Sequence, residues 1–136
     1  MDVQAIGQGL ATAASTVSGI TGLPSVPDAI SALPLFAPAE LEITYDQAFG
    51  AGALTVIVYT CALFVSRGDT NSARVALTGF LAPTGSGSIK AALESDRTLA
   101  GVAKTLRVES VRGAYRLYQV AGIDYLGAMI NVRVWG

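Results

Sequence analysis

The chain has 136 residues, of which 51% are hydrophobic and only 14% are charged, with nine basic residues, ten acidic residues and no histidine. A globular domain usually carries about 25% charged residues, so we expect a single domain, part of whose surface is covered by partners in an assembly. Without histidine, and with one cysteine and scattered carboxylates, the chain lacks the usual catalytic and metal-binding sets, and we predict no enzyme, no cofactor and no metal site.

Charge is divided unevenly along the chain. Residues 1–66 contain five acidic and no basic residues, whereas residues 67–136 contain all nine basic and the other five acidic residues. Such asymmetry suggests contact between unlike surfaces, for example an acidic face of one copy against a basic face of the next in a head-to-tail ring. Chance segregation of a small number of charges is the alternative.

Residues 1–18 are predicted to form an N-terminal helix. Asp2 occupies an N-cap position, and apolar side chains recur with the spacing of one helix face at Val3, Ile6, Leu10, Ala13, Ala14 and Val17. The opposite face has no charge and consists of Gln4, Gln8, Thr12, Ser15 and Thr16. An uncharged outer face suggests that a partner covers it. The segment lacks the basic start of a signal peptide, and no export is expected.

Residues 19–38 contain four of the five prolines. Proline fixes φ and removes a backbone donor, so this segment is predicted to be an extended arm with at most short strand or helix pieces. Two arrangements are open: the arm wraps a neighbouring subunit, or it packs along its own domain.

Residues 39–136 are predicted to hold the sheet and the remaining helices. The alternation of Leu41, Ile43 and Tyr45 with polar residues indicates a half-buried strand. The apolar stretch from Ala51 to Val65 is too short to span a bilayer as a helix, which takes ~20 residues, and it indicates a strand buried on both faces. Cys61 lies within it and is interpreted as a small hydrophobic residue in a reducing compartment.

Two short helices should follow this strand. Asp69 or Thr70 caps the first, whose inward residues are predicted to be Ala73, Ala76, Leu77 and Phe80, and Pro83 ends it. Ser88 caps the second, which carries the apolar residues Ile89, Ala92 and Leu93. The glycine-containing loop between them, residues 84–87, does not have the lysine spacing of a nucleotide P-loop, so a plain turn is favoured over a phosphate site.

Three strands are predicted at the C-terminus: Thr105–Val111, Ala114–Val120 and Ile123–Trp135, joined by tight turns at Arg112–Gly113 and at Ala121–Gly122. The fold class is therefore α+β, with an antiparallel or mixed sheet of about four to six strands, an N-terminal helix and one or two short helices packed on it. An isoelectric point near 5.2 opposes a broad nucleic-acid-binding face.

From about residue 40 onward the chain resembles the tail terminator proteins of long-tailed bacteriophages, especially those that infect actinobacteria. The resemblance is carried by the order and spacing of Leu41–Asp46 with Phe49–Gly50, Val65–Arg67, Gly87–Asp96, Thr98–Leu99, Leu106–Val108 and Gly122–Ala128. These segments lie within about two-thirds of the chain, and the N-terminal helix and arm fit the family layout only loosely.

The resemblance implies a virion protein made in the host cytoplasm and located at the tail–neck junction. A hexameric ring of such subunits caps the head-proximal end of the tail tube, stops tube polymerisation and presents the surface to which the head joins. Its partners would be other copies of itself, the major tail tube protein and a head–tail connector or stopper protein. Genome DNA would pass through the lumen without specific binding, and no membrane is involved.

Subunit contacts are expected at Glu40, Glu42, Arg107, Arg116, Tyr118 and Trp135. In particular, Glu40 or Glu42 of one copy would meet Arg107 or Arg116 of the next. The alternatives are another head–tail connector or stopper protein, a tail tube subunit, and more remotely a module that binds a small ligand.

Overall fold

Five strands and three helices make up the fold in a computed structural model that describes residues 3–45 and 55–135. The helices are α1 (Val3–Ser15), α2 (Asn71–Phe80) and α3 (Ile89–Glu94), and the strands are β1 (Thr21–Gly22), β2 (Leu35–Thr44), β3 (Val56–Arg67), β4 (Thr105–Val120) and β5 (Ile123–Trp135). The predicted α+β class is confirmed. Asp2, the proposed cap of α1, and the Asp46 and Phe49–Gly50 segments of the resemblance lie outside the described residues.

The strands form one mixed sheet in the order β1-β2-β3-β5-β4. The short strand β1 pairs parallel with the start of β2, and the other neighbours are antiparallel. β3 and β5 approach closely at Gly127, where an added Cβ would lie 2.1 Å from the carbonyl oxygen of Leu63. Only glycine allows that approach.

All three helices pack on one face of the sheet. Their buried side chains share a core with alternate residues of β3 and β5, including Ile57, Cys61 and Val132. Burying these aliphatic side chains is the main stabilising contribution, about 1.5–3 kcal/mol for each large one. The part of the predicted apolar strand from residue 56 to residue 65 lies in β3, as predicted, whereas residues 51–54 lie outside the described residues, and β3 is buried along most of both faces. No helix in the described part of the chain is long and apolar enough to cross a membrane.

The helix caps follow the predicted chemistry. The hydroxyl of Thr70 accepts the amide of Ala73 at 3.2 Å, and the hydroxyl of Ser88 accepts the amide of Ala91 at 3.1 Å. Thr70 is thus the cap, rather than Asp69. One inward position was wrong: Ala76 is exposed. The helix α2 touches the sheet along a narrow stripe that buries only Ala73 and Leu77 and half-buries Phe80.

The proline-rich arm packs along its own domain, the second of the two arrangements considered. Ile30 is buried in a small core with Phe64 and Tyr125 on the sheet face opposite the helices. The strand β2 begins within the last residues of the predicted arm, at Leu35. Pro38 fits within β2 because a register shift at this point interrupts the ladder with β3, and strand prolines are found at edges and bulges.

The predicted hairpin at Arg112–Gly113 was also wrong. Residues 105–120 form the single strand β4, and the 13-residue β5 pairs with both of its halves. A wide bulge between Arg112 and Arg116 interrupts the ladder, with positive φ at Gly113 and Tyr115. The second predicted turn is confirmed, since Ala121 and Gly122 both have positive φ, as a two-residue hairpin turn requires.

Candidate interface on the open face of the sheet

The sheet face opposite the helices, which we call the open face, is only partly covered. At one end Leu23, Val26, Ile30 and Leu33 of the arm pack over Ala62 and Phe64. At the other end the described residues place no arm or helix over the strands, and Glu40, Glu42 and Arg107 are exposed there. This end is the candidate functional surface of the molecule.

All six residues predicted to form subunit contacts lie on the open face. Paired residues of neighbouring strands point to the same side of a sheet. The pairings of Glu42 with Val58, Val58 with Arg133, and Arg133 with Arg107 therefore form one row across four strands. Glu40 pairs with Thr60, Trp135 with Val56, Arg116 with Gly127 and Tyr118 with Tyr125, which are all positions of the same side.

The structure does not bring the acidic and basic members of this set together within one chain. Glu42 and Arg107 stand in the same row but three strand spacings apart, which is about 14 Å between their backbones. Within the described residues, neither carboxylate of β2 and none of Arg107, Arg112 and Arg116 forms an ion pair. Among the residues that the structure describes, the one internal ion pair on this face joins Arg133 to Glu109. The open face thus has an acidic border along β2 and a basic border along β4.

A polar row that the sequence analysis missed connects the strands between these borders. The hydroxyl of Thr60 donates to the side-chain oxygen of Asn131 at 3.2 Å, and the amide of Asn131 donates to the hydroxyl of Ser110 at 3.1 Å. Glu40 lies at the β2 end of this row. The signal in the sequence is a polar residue inside each of two apolar strands, but their alignment needs the strand register. These bonds favour one register, because a slip would leave the polar groups unpaired.

The two aromatic candidates are only half-buried and have different surroundings. The ring of Tyr118 lies 5.9 Å from the ring of Phe64, and its hydroxyl is bonded within the strand β4. It therefore has a packing role in the isolated chain. Trp135 ends β5 between Val56 and Thr105 and keeps part of its surface exposed beside the two charged borders.

The ionisable groups give little support for chemistry at this surface. Cys61 is fully buried on the helix side, and this burial raises the pKa of its thiol far above the ordinary range. In the described parts of the chain, no three histidine, cysteine or acidic residues are grouped so that they could hold a metal ion. The open face offers charges and hydrogen bonds to a partner, and its open polar depression is lined in part by Glu40, Glu42, Thr60, Arg112 and Asn131.

No protein-family model matches the chain, and no curated protein matches its sequence. The resemblance to tail terminators therefore depends on the segments quoted above.

Proposed function

We propose that this chain is a structural virion protein that forms a hexameric ring on the head-proximal end of a bacteriophage tail tube. The ring stops polymerisation of the tube and provides the surface to which the head joins. It works at the tail–neck junction with other copies of itself, with the tail tube protein and with a connector or stopper protein. It has no catalytic role, and DNA passes through it without specific contacts.

The observation that carries this proposal is the separation of charge on the open face. The acidic border on β2 and the basic border on β4 lie on opposite sides of one uncovered surface, and among the described residues no ion pair joins them within a copy. Contact between the acidic border of one copy and the basic border of the next neutralises both. A contact between different patches is heterologous, and a heterologous contact gives a ring when its rotation closes and an open filament when it does not.

Charge alone does not hold such a ring together. Exposed ion pairs contribute about 0–1 kcal/mol each, so apolar contacts have to supply most of the affinity. The low overall charge of the chain and its exposed aliphatic side chains, among them Leu41, Val111 and Leu117, provide that surface. To terminate the tube, the ring must bind the last tube subunits with one face, and its other face must not bind a further tube subunit.

Electron microscopy of particles made without this protein tests the proposal. The coding sequence is disrupted in the phage that carries it, and the same phage with the wild-type protein supplied from a plasmid is the control. Overlong tail tubes without heads, beside filled heads, are the expected result, because tube growth has lost its stop. Tails of normal length that fail to join heads would assign the protein to the connector instead, and normal infectious particles would refute a role in virion assembly.

A further inference from the structure

Two strands lie at the edges of the sheet and leave backbone groups without a strand partner. On one side, β1 covers β2 only at Leu35 and Phe36, so the described segment Glu40–Thr44 of β2 has a neighbouring strand on one side only. On the other side, β4 is the last strand of the sheet. Free edges of this kind accept further strands unless the protein blocks them.

The first part of β4 is blocked by its own surroundings. The carboxylate of Glu94 on α3 accepts the amide of Val108 at 3.0 Å, so this amide is already bonded to a side chain. Register shifts after Val108 and between Arg112 and Arg116 distort the strand further. In the last part of β4, Arg116–Val120, the pairing with β5 is regular, and among the described residues no hydrogen bond is made to the outer edge of this part.

The two free segments complement each other on both sides of the sheet. On the open face, Glu42 of β2 is acidic and Arg116 of β4 is basic. On the helix side, Leu41 is 42% exposed and Leu117 is 49% exposed, so each presents apolar surface next to its free edge. Each leucine lacks cover in the isolated chain, and each would cover the other across a shared edge.

We propose that Arg116–Tyr118 of one copy adds as a short antiparallel strand to Glu40–Glu42 of a second copy, with Leu117 opposite Leu41 and Arg116 opposite Glu42. Pairing of two β2 edges is disfavoured, because Glu40 of one copy would lie opposite Glu42 of the other. Pairing of two β4 edges would leave Arg116 without an acidic neighbour. The unlike edges therefore join, and the sheet continues from copy to copy. The inference rests on the proposed self-assembly of this chain, but not on its place in a tail.

Repeated addition in this register is compatible with ring closure. Glu42 lies in the row that contains Arg133 of β5, whereas Arg116 pairs with Gly127 of β5. Arg133 and Gly127 are six residues apart, so the two rows are displaced by ~20 Å along the strands. Each copy adds the four strands from β2 to β4 to the shared sheet, so equivalent strands of neighbouring copies lie four strand spacings, or ~19 Å, apart across the sheet. Copies joined in this way form a closed ring, and not an open helix, if their strands tilt by ~45° from the ring axis. This angle is close to the tilt of strands in closed sheets.

Disulfide trapping tests the contact. The variant Leu41→Cys/Leu117→Cys is oxidised mildly and run on a non-reducing gel, and the buried Cys61 does not interfere. Linked multimers that collapse on reduction are expected. The matched control, Leu41→Cys/Val75→Cys, carries its second thiol on an exposed residue of α2 and should link at least about tenfold more slowly, since bridged Cα atoms must lie within about 7 Å. Equal linkage in both variants would overturn the proposal.

Hydrogen exchange of the wild-type protein gives a second readout if the cysteine variant does not fold. Outward-facing amides within residues 40–42 and 116–118 should become protected as the protein concentration rises, while exposed amides in the blocked part of β4 should not change. Rings that form without this protection would overturn the edge contact and leave the proposed tail function standing. Linkage and protection by a protein whose loss does not alter tails would support the edge contact and refute the tail function.

Discussion

The hydroxyl of Tyr118 donates a hydrogen bond of 2.7 Å to the carbonyl oxygen of Gly113 within the same strand. Gly113 has a φ of 59°, and a Cβ at this position would lie 2.1 Å from the Tyr118 hydroxyl oxygen. Glycine and tyrosine thus hold the bulge of β4 together. The bulge turns Tyr115 to the helix side, where the Arg74 guanidinium lies 5.3 Å from the centre of its ring.

Replacing Gly113 with alanine should lower the free energy of unfolding by about 2–3 kcal/mol. About 1 kcal/mol arises from the positive φ and the remainder from the displaced Tyr118 hydroxyl and its hydrogen bond. Urea unfolding measures the change. Gly122→Ala is the matched control, because Gly122 has a φ of 80° and an added Cβ there would meet no atom within 4 Å, so it should lose only about 1 kcal/mol. Equal losses in the two variants would show that the Tyr118 contact does not hold the bulge.

The same bulge shows where sequence reasoning reaches its limit in this fold. A glycine between two alternating segments is compatible with a tight turn and with a bulge, because both need positive φ. The choice depends on whether a single partner strand is long enough to pair with both segments, as β5 is. Caps at Thr70 and Ser88 were predictable because capping involves only residues three positions apart.

The candidate interface was predictable in part for a similar reason. Alternation along one strand indicates that Arg116 and Tyr118 share a side, and the register of β4 with β5 agrees with this. No local pattern shows that the open-face residues of β2 and β4 lie on one side of the sheet, because this depends on how both strands pair through β3 and β5. The polar row of Thr60 and Asn131 was missed because its two residues are 71 positions apart in the sequence.

Ala100→Gly should stabilise the protein by about 0.5–1 kcal/mol. Ala100 is exposed and has a φ of 60°, between Leu99 and Gly101, which also have positive φ. An L-residue in this region is strained, and glycine removes the strain without loss of packing. Thermal or urea unfolding checks the sign. The same replacement at Ala76, an exposed position within α2, should instead destabilise by about 1 kcal/mol, and a loss at both positions would contradict the prediction.

Glu94 should make stability depend on pH. Burial alone would raise the pKa of its carboxyl group, but hydrogen bonds from Lys90 and from the Val108 amide, with the nearby charges of Lys90 and Arg97, bring the net pKa below its ordinary value. A pKa lower in the folded than in the unfolded chain gives stability that is present above the unfolded pKa and is lost as pH falls through the folded pKa.

Glu94→Gln should therefore destabilise the protein by about 1 kcal/mol at pH 7, with a smaller difference from wild type at acid pH, below the lowered pKa of the folded carboxyl group. Urea unfolding between pH 3 and pH 7 measures this difference. Glu40→Gln serves as the control, because Glu40 is exposed and has no hydrogen bond among the described residues. This substitution should change the free energy of unfolding of the protein by less than about 0.5 kcal/mol. A Glu94→Gln difference that stays constant with pH would contradict the assigned role.

Charge reversal at the sheet edges should weaken self-association, and a compensating reversal should restore it. Glu42→Arg places like charges together in the proposed contact with Arg116 and should raise the dissociation constant about tenfold at low salt, with a smaller effect at high salt because exposed charges are screened. Sedimentation velocity at two salt concentrations measures the change. Asp28→Arg makes the same change of net charge on an exposed residue away from both edges and should have little effect.

The double variant Glu42→Arg/Arg116→Glu decides which basic residue faces Glu42. Exchange of the two charges preserves an opposite pair only if these side chains lie opposite each other, so association should return to within about threefold of wild type. Restoration by Glu42→Arg/Arg107→Glu instead would move the contact to the row that Glu42 and Arg107 already share within one chain. In that register the copies would meet without displacement along the strands, next to the amide that Glu94 occupies, and Glu94 would have to release Val108 before the edge could pair.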